Sequence, residues 1–352
     1  MAECHFLLSL HPEFRSILRS ADIFYIFAYM ITIDEILSIS SAQEFETMAL
    51  RLFAFQAQRC KPYADYIALL GIEPSEVRTI EDIPFLPIEL FKSHDIYCAE
   101  REPEIVFTSS NTGGTIPSHH MMASTEVYRR AFIAAFERFY GSVERWSIYG
   151  LLPNYLEREG SSLVYMVDEL IRRAGSGGFY LNDYERLIAD MERDPKPKIL
   201  LGVSYALWDL AEQYAPKLRD TIVMETGGMK GRRKELSKSE LHDILCRGFG
   251  VESIHSEYGM AELTSQAYSR GEGIFESPQW MRVLVRDVND PLDHAPVAMR
   301  GGVDIIDLAN LTSCAFIRTQ DMGRVFDDGR FMLEGRIAGS DIRGCNLLVH
   351  NL

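Results

Sequence analysis

The sequence lacks the patterns that mark several common classes of protein. Its six cysteines contain no Cys-x-x-Cys pair and no metal-ligand spacing, which argues against zinc and against a disulfide framework. This cysteine usage fits the reducing cytoplasm. The apolar stretch at residues 23–33 is shorter than the ~20 residues that a transmembrane helix needs. It also lacks the basic segment of a signal peptide, so we do not expect an integral membrane protein.

Positive charge is also scarce. The chain has 36 Lys and Arg residues against 51 Asp and Glu residues, which gives a net charge of −15. A field of this sign repels a polyanion, so an extended nucleic-acid groove is not expected. A single nucleotide that arrives with its magnesium ion needs only a local site, and the overall charge does not argue against one.

The order of local patterns predicts the domain organisation. The 352 residues suffice for one large domain and a smaller one. Strand and helix patterns alternate from residue 146 to residue 258, which predicts an α/β domain with a mainly parallel sheet. Short strands separated by turns follow from about residue 280. We therefore predict an N-terminal extension at 1–30, an α/β core at 31–279 and a β-rich subdomain at 280–352.

Two helix starts carry a capping box, in which a hydroxyl and a carboxylate stand three residues apart before an apolar-periodic run. They are Ser41 with Glu44 and Ser237 with Glu240. Between them, residues 80–94 contain two prolines, which predicts an extended connector.

One loop has the composition of an anion-binding loop. The stretch VFTSSNTGGTIPSHH, residues 106–120, gathers hydroxyls and glycines directly after an apolar run. Glycine lets the backbone approach an anion closely, and each hydroxyl or free N–H donates to an oxygen. No Gly-Lys-Ser/Thr follows at P-loop spacing, so this is not a P-loop. The neighbouring His119 and His120 are expected to be a loop pair pointing apart rather than metal ligands.

Four further stretches follow predicted strands, at the edge where open α/β sheets place their ligands. ETGGMKGRRKE at 225–235 has glycines beside four basic residues, suited to a purine and to phosphate. EYGMAEL at 257–263 offers Tyr258 for stacking on a base and Glu262 for magnesium. RTQDMGRV at 318–325 offers Asp321, in a turn, for a ribose diol. EGRIAGSDIRGC at 334–345 adds Arg336 and Cys345. Taken singly, each stretch is explained as well by an ordinary surface turn.

A competing pattern surrounds Ser204 in LLGVSYA, which is close to the nucleophile elbow of α/β-hydrolases. His255 and His294 follow in the order that a catalytic triad requires. A serine that caps the next helix explains the same residues more simply, because no oxyanion-hole loop is evident.

Taken in order, the stretches resemble the signature of the adenylate-forming superfamily. TSSNTGGTIPS is similar to its phosphate loop, ETGGMKG to its purine loop and YGMAE to its Tyr-Gly-x-Thr-Glu motif. RTQDMGR is similar to its ribose-binding motif, and GRIAGSD to its hinge-side Gly-Arg. Within the superfamily, IPFLPIELFKSH, YLEREGSSLVYM and DIRGCNLL resemble blocks of the acyl-protein synthetases, the long-chain-fatty-acid–protein ligases. This resemblance runs from about residue 31 to the end of the sequence.

The resemblance implies a fold, an activity and a partner. The fold is an α/β, acyl-CoA synthetase-like large domain with a smaller β-rich subdomain, without the usual C-terminal domain that carries a catalytic lysine. The activity is the use of Mg-ATP to convert a fatty or related carboxylic acid to an acyl-adenylate. The acyl group then passes to a protein thiol, with Cys345 as acceptor, and on to an acyl reductase partner.

The resemblance also assigns roles to residues. Glu262 would bind magnesium, and Arg336 would act on the ribose or phosphate side. The residues implied in binding ATP are Thr108, Ser109, Ser110, Thr112, Gly113, Gly114, Gly227, Gly228, Tyr258, Gly259 and Asp321. Ala261 departs from the pattern, because it stands where the family commonly has a threonine.

Three alternatives stay open at this point. One is an acyl-CoA ligase of the phenylacetate type, which would need a site for CoA. Another is a serine hydrolase or acyltransferase that uses Ser204. The third is a nucleotide-binding protein without catalysis, for which Ala261 is the hint.

Overall fold

The computed structural model describes residues 31–109, 116–152, 160–227, 236–287 and 299–337. Its helices lie mainly in the first two thirds of the chain. They are α1 (Ile33–Leu37), α2 (Ala42–Arg59), α3 (Lys61–Leu69), α4 (Thr125–Tyr140), α5 (Ser162–Ala174), α6 (Tyr184–Arg193), α7 (Ser204–Gln213) and α8 (Lys238–Phe249). Short 3-10 turns occupy Pro74–Glu76, Ile88–Lys92 and Val143–Arg145.

The strands continue almost to the end of the described residues. They are β1 (Leu86–Pro87), β2 (Ile105–Thr108), β3 (His119–Met122), β4 (Ser147–Leu151), β5 (Gly177–Tyr180), β6 (Lys198–Val203), β7 (Thr221–Thr226), β8 (His255–Tyr258), β9 (Ala267–Ser269), β10 (Ile274–Glu276), β11 (Met281–Arg286), β12 (Gly301–Asp307), β13 (Phe316–Val325) and β14 (Phe331–Arg336).

Most of these strands join one hydrogen-bonded sheet, in the order β11-β12-β13-β14-β10-β9-β8-β7-β6-β4-β5. Strands β4 to β8 pair in parallel, which confirms the predicted parallel sheet. From β8 onward the pairing is antiparallel, and the strands after residue 280 continue the same sheet. Strands β2 and β3 form a separate antiparallel hairpin. The carboxyl ends of β7 and β8 therefore lie side by side near the centre of the sheet.

Local sequence signals set several helix boundaries. Both predicted capping boxes are present: the Ser41 hydroxyl accepts from the Glu44 N–H and the Ser237 hydroxyl from the Glu240 N–H. Each glutamate in turn accepts from the backbone of its cap residue. These pairs satisfy amide groups that a helix start leaves without partners. At the end of α5, Gly175 adopts a left-handed conformation with φ of 67°, which glycine takes without steric cost.

The connector at 80–94 differs in part from its prediction. It contains strand β1, which pairs in parallel with β13, followed by a 3-10 turn. Proline does not prevent this pairing, because β1 adds only two residues beside the main path of the sheet. Within the described ranges, no helix is both long and apolar enough to cross a bilayer.

Candidate active site

A cavity opens where the carboxyl ends of β7 and β8 face helices α4 and α5. Its volume is about 90 Å³. Five of the predicted nucleotide and magnesium contacts line it together: Thr108, Ser109, Gly227, Gly259 and Glu262. They come from three stretches that are far apart in sequence. The fold therefore brings the start of the predicted phosphate loop, the start of the glycine loop after β7 and the YGMAE turn to one place.

The β2–β3 hairpin closes the base of the phosphate loop. The N–H of Thr108 donates to the carbonyl of Gly160 at 2.8 Å. The N–H of Ser109 donates to the Ser118 carbonyl at 3.2 Å, and the Ser118 N–H donates to Ser109 Oγ at 2.9 Å. The loop is thus held at both of its ends. Its middle, with the predicted residues Ser110, Thr112, Gly113 and Gly114, lies outside the described residues.

The glycine loop leaves β7 above a buried carboxylate. Gly227 has a φ of 72°, a conformation that favours glycine, and its carbonyl lies 3.0 Å from Ser204 Oγ. One step earlier, Glu225 is 1% exposed and pairs with Lys238, while Ser256 Oγ donates to it at 2.7 Å. These contacts fix the backbone from which the loop departs. Gly228, the next predicted nucleotide contact, is outside the described part of the chain.

Ser204 is neither a nucleophile nor a helix cap in this structure. Its side chain is fully buried, and its hydroxyl lies 3.1 Å from Glu225 Oε2 and 3.0 Å from the Gly227 carbonyl oxygen. Helix α7 is capped by Val203, and Ser204 is its first residue. Of the two candidate triad histidines, His255 bonds Tyr140 at 3.2 Å, and His294 lies outside the described residues. The hydrolase hypothesis therefore loses its nucleophile, and the cap prediction was wrong.

Tyr258, Asp321 and Arg336 form a second group next to the cavity. The Tyr258 hydroxyl donates to Asp321 Oδ2 at 2.8 Å, and Arg336 Nε lies 3.6 Å from Asp321 Oδ1. The prediction that Asp321 lies in a turn was wrong. Asp321 lies within β13, opposite a residue of β14. It is 5% exposed, because this pairing places it inside the sheet.

The surroundings of Tyr258 bear on its predicted role. Its ring is 2% exposed and lies 5.9 Å, centroid to centroid, from both Phe275 and Phe331. These contacts and the bond to Asp321 give Tyr258 a packing and positioning role. Stacking on a base would require its contacts to change and stays a prediction.

Glu262 sits in a turn that several buried groups hold. The carboxylate of Asp307 accepts from the Thr264 and Ser265 N–H groups at 2.7 and 2.8 Å. Asn310 Nδ2 donates to the Glu262 carbonyl at 3.0 Å. Glu262 itself is fully buried and lines the cavity. This network fixes the direction in which the Glu262 side chain leaves the turn.

The residues of this site fit a magnesium ion only if phosphate groups of a substrate supply further ligands. Among the described residues, no group of three or more His, Cys, Asp or Glu side chains could hold a metal by itself. Mg²⁺ in nucleotide sites is commonly bound by one or two carboxylates together with substrate phosphates and water. Glu262 supplies one carboxylate beside the start of the phosphate loop, which is compatible with that mode.

His120 ties the phosphate-loop hairpin to the Glu262 turn. It is fully buried on β3, not in a loop, and His119 lies on the opposite face of the strand as the adjacent-residue argument expects. Its Nδ1 lies 2.7 Å from the Ala261 carbonyl and its Nε2 lies 2.9 Å from Asn310 Oδ1. Burial lowers the pKa of His120, against the opposing effect of these two contacts.

Sequence reasoning missed the other wall of the cavity. Tyr128 from α4, Met166 from α5, and Thr226, Glu257 and Gln266 from the sheet also line it. Thr226 Oγ1 donates to Glu257 Oε2 at 2.5 Å. Burial raises the pKa of Glu257 to about 7, and nearby Glu225 adds to the effect. A single glutamate in a short strand carries no local signal of such a position; only the pairing of strands reveals it.

The fold matches that of solved structures that include a CoA ligase, and it is the α/β fold that the resemblance implied. The chain matches 2-hydroxyisobutyryl-CoA ligase in its postadenylation state with a TM-score of 0.65 and 13% identity, over 88% of this chain and 72% of that one. It matches ATP-bound MatB from Rhodopseudomonas palustris with a TM-score of 0.52 and 14% identity, over 69% of this chain. It spans about half of MatB, 49% of its length. No protein-family model and no curated protein sequence matches the chain.

Proposed function

We propose that the protein is an ATP-dependent ligase that activates a carboxylic acid as an acyl-adenylate and then transfers the acyl group to a thiol. The observation that carries this proposal is the cavity, where the start of the phosphate loop, Gly227 and Glu262 converge. This convergence occurs in a fold shared with structures that contain ATP or an acyl-adenylate. At this level of sequence identity the likeness shows the fold alone, so the proposed activity is inferred from the residues of the site.

The first step joins the acid to the nucleotide. A carboxylate oxygen attacks the α-phosphorus of ATP, the bond to the bridging oxygen breaks, and pyrophosphate leaves. Charge develops on the phosphoryl oxygens, and the hydroxyls of Thr108 and Ser109 line the cavity where they can donate to that charge. Magnesium held by Glu262, when bound with the nucleotide, would neutralise part of this charge. Asp321, with Arg336 beside it, would hold the ribose.

The second step transfers the acyl group to sulfur. A thiolate attacks the acyl carbon, a thioester forms and AMP leaves. Burial raises the pKa of each cysteine that the structure describes (Cys60, Cys98, Cys246 and Cys314), which disfavours a thiolate at all four positions. Cys4 and Cys345 lie outside the described residues, and we keep Cys345 as the proposed acceptor because the resemblance implies a cysteine in this part of the sequence. A reductase would then take the acyl group; coenzyme A is the alternative acceptor.

The test of the first step is carboxylate-dependent exchange of labelled pyrophosphate into ATP. We expect exchange in the unmodified protein and a loss of at least 100-fold in Glu262→Gln, since one preorganised charged group at a reacting phosphate is worth about 10²–10³ in rate. Glu252→Gln, at an exposed position, is the matched control and keeps full exchange. Binding of ATP without exchange for any acid would identify a nucleotide-binding protein instead.

The test of the second step is the retention of a radiolabelled acyl group on the protein. With Cys345 as acceptor, label stays on the chain after denaturation, is released by neutral hydroxylamine and disappears in Cys345→Ser. Label that appears only on added coenzyme A would make the protein an acyl-CoA ligase.

A further inference from the structure

One part of the cavity wall presents hydrogen-bond acceptors. We call it the acceptor end and define it by Glu257, which lies on β8, and Gln266, which directly precedes β9. Both lie on the face of the sheet that turns toward α4 and α5, since Glu257 pairs with Tyr268 and Gln266 is two residues before it. Thr226, beside Glu257 on the other side, donates its hydroxyl to Glu257 Oε2.

The side chains of Glu257 and Gln266 both lie against Gly259. A Cβ atom added at Gly259 would lie 2.5 Å from Glu257 Oε1 and 3.3 Å from Gln266 Cγ. The Glu257 carboxyl therefore occupies the space that a side chain at position 259 would need. Gly259 also lines the cavity and precedes the turn that carries Glu262. The acceptor end is thus continuous with the place proposed for the reacting phosphate.

The amide oxygen of Gln266 is a buried acceptor in the wall of the cavity. The hydroxyl of Tyr128, which also lines the cavity, donates to the Ser162 carbonyl at 3.1 Å and therefore does not serve this oxygen. The oxygen of the amide, Oε1, accepts no hydrogen bond from any described residue, although Gln266 is only 2% exposed.

A buried acceptor without a donor is costly, because the group has lost its bonds to water. A ligand that brings a donor to this place recovers the loss. A ligand with only methyl and methylene groups leaves Gln266 Oε1 without a donor, whereas Glu257 keeps the bond that it accepts from Thr226. A pocket with buried acceptors therefore discriminates strongly between a ligand that supplies a donor and a ligand that does not.

The cavity is small where the structure describes its walls. Its volume is about 90 Å³, and Met166 and Leu163 add apolar side chains to its lining. A long aliphatic chain would need more space and a wall without buried acceptors.

We propose that the acyl site takes a small carboxylic acid that carries a hydrogen-bond-donating substituent, a hydroxyl or an ammonium group, and that Glu257 and Gln266 select it. This inference rests on the proposed adenylation and narrows its substrate class. It departs from the long-chain fatty acid that the sequence resemblance implies. The acid's carboxylate faces Thr108 and Glu262, and its substituent faces the acceptor end.

The test compares matched acids in pyrophosphate exchange by the unmodified protein. The probes are butyrate, its 2-hydroxy, 3-hydroxy, 2-amino and 3-amino derivatives, and octanoate. At least one derivative is expected to exceed butyrate by 10-fold or more in kcat/KM, with octanoate below butyrate. Butyrate or octanoate used as well as every derivative would overturn the inference and leave adenylation intact. No exchange with any acid would overturn the proposed function, and this inference with it.

Two variants test whether Gln266 and Glu257 cause the preference for substituted acids. Gln266→Met keeps the size of the side chain and removes the acceptor, and it is expected to reduce the preference for the favoured derivative at least 5-fold with butyrate retained. Glu257→Gln removes the charge that this carboxyl carries above about pH 7, so in assays at about pH 8 it lowers the use of amino acids more than of hydroxy acids if the donor is ammonium. Equal losses for butyrate and the derivative would overturn the assignment.

The exposed positions Gln43 and Glu76 provide matched controls. Gln43→Met and Glu76→Gln repeat the same chemical changes outside the cavity and leave the preference unchanged. Thermal unfolding of every variant separates a loss of fold from a loss of selectivity. The comparison of acids in the unmodified protein requires no variant at all.

Discussion

The hydroxyl of Tyr258 donates a 2.8 Å hydrogen bond to Asp321, across 63 residues of sequence. This bond joins the YGMAE stretch to the RTQDMGR stretch, which sequence reasoning treated as separate contacts for base and ribose. Because Asp321 also lies near Arg336, its carboxylate is held between a donor and a positive charge. The relationship makes Tyr258 a positioning residue for the proposed ribose contact.

Tyr258→Phe is expected to weaken ATP binding and to lower the free energy of unfolding. Removing the donor leaves a buried carboxylate less satisfied, which costs about 1–2 kcal/mol. Denaturant unfolding and calorimetric titration with ATP measure the two effects. Tyr97→Phe removes an exposed tyrosine hydroxyl that bonds the Arg101 carbonyl, and it should change neither quantity. Unchanged ATP affinity in Tyr258→Phe would contradict the positioning role.

Lys238→Met is expected to be strongly destabilising, because it leaves Glu225 buried without its principal counter-charge. Removing one partner of a buried ion pair costs about 3–5 kcal/mol. Lys61→Met breaks an exposed pair with Asp65 and should cost under about 0.5 kcal/mol. A similar, small loss in both variants would contradict the claim that the Glu225 site anchors the glycine loop.

The same pair predicts a loss of stability in acid. Against the opposing effect of burial, Lys238 and His242 hold the pKa of Glu225 below its usual value of 4.5. A lowered carboxyl pKa adds stability above the unfolded-state pKa and loses it as the pH falls. The unfolding free energy should therefore drop below about pH 4.5, and the drop should be smaller in Glu225→Gln. Parallel pH profiles for the two proteins would contradict this assignment.

Glu257 changes stability with pH in the opposite direction to Glu225. Burial raises its pKa from 4.5 to about 7, so the folded state keeps a proton that the unfolded state has already released. Stability from this group is present below about pH 4.5 and falls as the pH rises toward 7. Relative to the unmodified protein, Glu257→Gln should gain about 3 kcal/mol between pH 4.5 and pH 8. Denaturant melts across this range measure the gain; no pH-dependent difference would contradict the raised pKa.

Gly259→Ala is expected to raise the KM for the acid more than it lowers stability. The added methyl group would meet Glu257 Oε1 at 2.5 Å and push the carboxyl across the acceptor end. Overpacking of this kind costs about 1–3 kcal/mol in stability. Gly178→Ala is the control, because its new Cβ meets only Tyr180, at 3.9 Å. An unchanged KM in Gly259→Ala would indicate that the acid does not bind at the acceptor end.

Local chemistry explains what the sequence predicted well. The capping boxes at Ser41 and Ser237 depend on residues three positions apart, so the sequence contains their whole cause. The parallel strand β6 is mainly apolar, and it is buried over its full length as its composition indicates. The strand-end positions of Gly227 and Glu262 follow from the same alternation.

Long-range pairing explains what the sequence could not predict. Asp321 is polar and stands next to a glycine-containing stretch, which favours a turn, yet pairing with β14 makes it part of a ten-residue strand. Ser204 looks like a cap until the neighbouring strand brings Glu225 to its hydroxyl. Glu257 and Gln266 come together only because β8 and β9 pair in antiparallel fashion. The substrate end of the site therefore required the structure.

The most direct test of adenylation follows oxygen from the acid into AMP. The acid that supports exchange best is labelled with ¹⁸O in both carboxyl oxygens and turned over with ATP and a thiol acceptor. Attack of the carboxylate on the α-phosphorus predicts AMP that carries one ¹⁸O atom, because acyl transfer leaves that oxygen on phosphorus. Label in inorganic phosphate with ADP as co-product, or AMP without label, would contradict the central claim.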